Sequence, residues 1–185
     1  MSNPPRRHER KDQSVTFAEV IVSQRLEPMS TDSPEAIVDS ALREFVCRGV
    51  EFLIIASDPF FVQFAGVYPD GTERRERDAW DRKVRRVEEN DRGALFTQLY
   101  QEMGLYAEAV SDEFLKPEMR LGETGGARLA RLGWIEPSSA TPNWSRVHDF
   151  VGDESYAVVS RSVIQTFEEG FELLGPLSLK FGNPL

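Results

Sequence analysis

The chain has 185 residues with 22 Lys and Arg against 31 Asp and Glu. Its net charge is −9 and its isoelectric point is near 4.9, a balance that disfavours a generic binder of DNA or of anionic membranes. Forty per cent hydrophobic residues suffice for one packed core, a single cysteine excludes an internal disulfide, and two histidines leave little for a metal site.

Residues 1–32 read as a flexible arm, with Pro4, Pro5, Pro28, a Ser/Thr/Asp run at 30–33 and one β-prone patch from Val15 to Val22. The polar start carries no apolar leader segment, and no stretch approaches the roughly eighteen consecutive apolar residues of a membrane span, so the expected compartment is the cytoplasm. Residues 33–185 are expected to form a single domain. Ser33, Pro34 and Glu35 form a helix-start signal. Ile37, Val38, Ala41, Leu42, Phe45 and Val46 then follow at helical spacing, and Gly49 supplies the stop, which predicts a helix over 34–48.

Two β-prone runs, Val50–Ser57 and Phe60–Val67, flank Asp58-Pro59 and read as an antiparallel hairpin. Alternation suggests one apolar face of Val50, Phe52, Ile54, Ala56, Phe60, Val62 and Phe64 lying on the helix. The opposite face would then carry Glu51, Leu53, Ile55, Phe61, Gln63, Ala65 and Val67 and be partly wet. Residues 68–103 read as a helical insertion: residues 73–92 hold eight basic and seven acidic side chains, and Leu95, Phe96, Leu99, Tyr100 and Met103 resume helical spacing. A third strand, Leu105–Val110, places Tyr106, Glu108 and Val110 on one side. A helix near 123–132 stopped by Gly133, a loop over 135–150, a helix over 153–174 and a short strand at Leu177, Leu179 and Phe181 complete the reading.

Chemistry is sparse along this chain. His8 lies in the arm, and His148 beside Asp149 reads as a surface loop residue. Cys47 reads as a small buried hydrophobe. Gly122–Gly126 lacks the Gly-Lys-Ser/Thr ending of a phosphate loop, and Glu108, Asp112 and Glu113 lack the further oxygens of a calcium cage. In the arginine-rich insertion acidic residues nearly cancel the basic ones, which argues against nucleic acid. No catalytic, cofactor-binding or metal-binding residues are assigned.

Several short motifs occur in a fixed order: Phe61-Val62-Gln63-Phe64, then Ala107-Glu108-Ala109-Val110-Ser111 with Phe114-Leu115, then Leu129 and Leu132-Gly133-Trp134, then Asn143-Trp144. Over residues 34–182 the chain resembles the actinobacterial TY-Chap domain family, named for its similarity to type III secretion chaperones of the Tir-chaperone kind. The family usually has Asn where this chain has Asp112, and a short turn where this chain carries residues 68–103. The resemblance implies an α+β fold, with an antiparallel sheet, an N-terminal helix and further helices packed on it. It also implies a non-enzymatic, protein-binding role, often as a homodimer. The candidate binding surface is Leu53, Ile55, Phe61, Tyr106 and Val110 with Gln63 and Glu108, offered to a protein client or to a second subunit; the alternatives are a homodimeric structural or regulatory interaction protein and an enzyme with loop-borne residues. The competing expectation is that the insertion buries this face through Trp80, Val84, Leu95, Phe96 and Leu99.

Overall fold

The computed structural model describes residues 22–24, 33–50, 52–65, 91–173 and 175–182. In chain order these form β1 (Val22–Gln24), α1 (Pro34–Arg48), β2 (Phe52–Ser57), β3 (Phe60–Ala65), α2 (Arg92–Met103), β4 (Leu105–Ala109), α3 (Gly122–Arg131), β5 (Trp144–His148), α4 (Asp153–Gln165) and β6 (Ser178–Phe181). The strands make one sheet in the order β1-β6-β2-β3-β4-β5, with every neighbouring pair antiparallel. The fold is α+β, as the sequence suggested. Residues 66–90, most of the expected insertion, lie outside the described residues, as does all of the arm except β1.

Helix α1 starts and stops where its residues dictate. The Ser33 hydroxyl accepts the Ala36 N–H at 3.2 Å, and Pro34 occupies the first turn. Gly49 closes the helix at φ 59°, and its N–H donates to the Phe45 carbonyl. A Cβ on Gly49 would lie 1.9 Å from the Phe96 ring, so the close approach of α2 also requires glycine. The buried stripe is Val38, Ala41, Leu42, Phe45 and Val46. Cys47 stands one step off that stripe and is exposed, contrary to the buried reading. Arg43 ties α1 to α4: its guanidinium lies 4.4 Å from the Tyr156 ring centroid and pairs with Asp39 at 2.7 Å and Asp153 at 3.2 Å.

The hairpin forms, but its faces differ from the expected ones. The two-residue Asp58-Pro59 connection sets Ser57 opposite Phe60, so facing residues have numbers of opposite parity. Leu53 pairs with Phe64 and Ile55 with Val62, and all four are buried beneath the helices. Phe52, Ile54 and Ala56 share the far face with Phe61, Gln63 and Ala65. Carrying the same parity across the turn misplaces β2 by one residue, which turns the whole strand over.

Two further elements depart from expectation. The 135–150 segment, read as loop, contains β5, which sends Trp144, Arg146 and His148 toward the helices opposite Ala109, Ala107 and Leu105. Helix α4 gives way at Thr166–Gly170 to a π-helical turn. There Thr166 donates its hydroxyl to Ser162 and accepts the Trp134 indole N–H at 3.0 Å, while Arg128 donates to the Gly170 carbonyl at 3.2 Å.

Candidate functional site

The face of the sheet turned away from the helices is half-buried and mixed in character. Phe52, Ile54 and Ala56 of β2 and Phe61 of β3 supply its apolar area. A row of paired residues crosses it: Lys180 opposite Ile54, Ile54 opposite Gln63, Gln63 opposite Glu108, and Glu108 opposite Ser145. Val147, 51 % exposed, faces Tyr106 at the β5 edge. That edge is bridged at one point, where Ser145 and Ile135 exchange backbone hydrogen bonds of 2.8 and 3.1 Å.

Of the residues assigned from sequence, Phe61, Gln63, Tyr106 and Glu108 come together on this face. Leu53, Ile55 and Val110 do not. Leu53 and Ile55 are fully enclosed by the hairpin's parity. Val110 lies just past the end of β4, where alternation stops: it is 1 % exposed and its N–H donates to the Phe61 carbonyl at 3.2 Å.

Glu108 is the best-held polar group of the face. One carboxylate oxygen accepts the Tyr106 hydroxyl at 3.0 Å and the other accepts the Asn143 amide at 3.1 Å. The Asn143 carbonyl in turn accepts the Ser111 backbone N–H at 3.3 Å. One residue on, the Asp112 carboxylate accepts the Leu121 and Gly122 N–H groups at 2.7 and 2.9 Å, capping α3. A cleft of about 200 Å³ opens beside this cap between Asp112, Leu121, Gly126, Pro137, Pro142 and Trp144. The Ser111, Asn143 and Trp144 positions of the sequence motifs therefore meet at one corner of the sheet, next to Glu108.

His148 was expected at the surface and is instead 5 % exposed on β5. Its ring lies 6.2 Å from that of Phe64 and 6.4 Å from that of Trp134. Burial, reinforced by the nearby Arg146 charge, lowers its pKa to about 4, so the imidazole is neutral at pH 7. Its Nε2 has no hydrogen-bond partner among the described residues, and no described side chain orients it as a base. Among the described residues no cluster of three or more His, Cys, Asp or Glu is placed to hold a metal ion, and no helix is long and apolar enough to cross a membrane.

Neither a curated protein nor a solved structure matches the chain. Residues 78–184 match the TY-Chap3 family model, described as "T3SS (YopN, CesT) and YbjN peptide-binding chaperone 3". The match takes in α2, β4, α3, β5, α4 and β6 and begins after the β2–β3 hairpin. Covering more than half of the sequence, it makes this chain a member of the TY-Chap3 family.

Proposed function

We propose that the chain binds an extended segment of a partner protein, without covalent chemistry, on the sheet face that carries Phe61, Gln63, Tyr106 and Glu108. The observation that carries this reading is the far face itself. Phe52, Ile54 and Phe61 form apolar area on the side of the sheet away from the helices, crossed by a row of polar groups. Apolar area supplies the driving force for docking, and the polar row fixes the direction and register of what docks. The peptide-binding description of the family supports the same role.

A photoreactive residue at Gln63 should crosslink a discrete partner protein. Phe61→Glu should abolish that product while the protein still unfolds in one cooperative melting transition. Crosslinking that recovers only the chain itself, with a dimer that persists on dilution, would instead assign the face to a homodimer contact. Capture that survives Phe61→Glu would remove the face from the reading.

A further inference from the structure

We propose that Arg146 forms an oxyanion-binding site on the helix side of edge strand β5, independent of the far face. Its guanidinium is held through one nitrogen: Nη1 donates to the Leu132 carbonyl, which ends α3, and to the Ser162 hydroxyl of α4 at 3.0 Å. Both acceptors are neutral. Neither Nε nor Nη2 donates to an acceptor among the described residues, and no described carboxylate lies within ion-pair distance. Arg43, Arg48 and Arg128, by contrast, each meet a carboxylate. The Nε–Nη2 edge is the fork that receives a carboxylate or phosphate side-on, with two parallel hydrogen bonds.

Neither Nε nor Nη2 is among the described polar atoms that are both fully buried and unpartnered, so the fork keeps contact with solvent. A Cβ on Gly133 would stand 3.5 Å from the Arg146 Cζ, 3.6 Å from Nη1 and 3.8 Å from Nε, in ordinary contact over the guanidinium, and Gly133 is itself exposed. Arg131 precedes Leu132 and Arg161 precedes Ser162. Both are exposed and neither forms an ion pair among the described residues, so they add positive potential beside the two groups that hold Arg146. Burial lowers the pKa of Arg146, which marks a cation that has given up part of its hydration without gaining a counter-charge. A bound oxyanion supplies that counter-charge.

The test uses the full chain at low salt with two probes, inorganic phosphate and a blocked peptide of two glutamates. Phosphate should shift the Arg146 Nε–H resonance saturably, with a dissociation constant of about 1 mM or tighter. Arg146→Lys keeps the charge and loses the fork. Gly133→Asn tolerates the left-handed backbone at φ 87° and places an amide over the guanidinium. Each should weaken binding about tenfold, read in the wild type and both variants from the backbone amide shifts of Trp134 and Val147, while the protein remains folded by its melting transition. Saturation by phosphate alone assigns a free anion, and displacement of phosphate by the peptide assigns a side-chain carboxylate; either outcome supports the site. No saturable shift with either probe, or affinities unchanged in both variants, would overturn it.

Discussion

Protonating His148 would place a second cation beside Arg146, between the rings of Phe64 and Trp134, and the fold resists this by holding the pKa down to about 4. In the unfolded chain the same imidazole titrates near its ordinary 6.5. The sign follows directly: the unfolded state binds the proton first, so the stabilisation is complete above about pH 6.5 and is lost as pH falls toward about 4. Urea unfolding should therefore show this residue withdrawing about 2 kcal/mol between about pH 7 and pH 5, a loss that His148→Gln removes. An equal pH dependence in that variant would put the effect elsewhere. At this scale the sequence was legible where a residue acts through local backbone chemistry. Ser33 and Gly49 mark the ends of α1 from neighbours within a turn of them. His148 and Arg146 were illegible because His148 packs on Phe64 and Trp134 and Arg146 is held by Leu132 and Ser162, none of them near neighbours in sequence, and because Pro, Ser and Asn dominate the stretch before them.

The β2–β3 hairpin shows how one local feature settles a whole element. Composition and the Asp58-Pro59 joint suffice to read two antiparallel strands, but the burial of each residue depends on which parity faces which across the turn. Ile54 and Ile55 are a matched pair for testing it, adjacent and identical in type, one half-buried on the far face and one fully enclosed. Ile55→Ala should cost about 3 kcal/mol in chemical denaturation and Ile54→Ala about 1 kcal/mol or less. The reverse order would exchange the two faces. Helices α1 and α3 were readable from periodicity and their terminal signals within a residue or two at each end, and the spacing of Leu95, Phe96, Leu99, Tyr100 and Met103 marked α2 without fixing its start. β5 was not, because its five residues alternate Trp, Ser, Arg, Val and His, and two polar side chains stand on its helix side. The π-helical turn was hidden for a related reason: Thr166 and Gly170 leave regular helix geometry through bonds to Trp134 and Arg128, which lie more than thirty residues earlier.

For the whole molecule, the strand order puts β2 and β3 at the centre and β5 at a margin, and this grades the stability of the sheet. Amide exchange should be slowest in β2, β3 and β4. Within β5 it should split: Ser145 is protected by its bridge to Ile135, whereas Val147, two residues on, directs its N–H off the same edge and should exchange fastest of the strand. Equal protection of the two amides would mean that another chain segment seals the margin. The family assignment and the candidate face meet on this side of the sheet, since the matched stretch includes β4 and β5 while Phe61 and Gln63 come from the hairpin before it. Within the matched stretch, Asn143 joins the sheet to the entry of α3. Its amide grips Glu108 on the sheet, and its carbonyl grips the backbone one residue before the cap of α3. One side chain thus links the sheet to the entry of a helix. A guest on the proposed face that displaced the Asn143 amide from Glu108 would disturb the residue that also holds the Ser111 N–H, next to the carboxylate that caps α3.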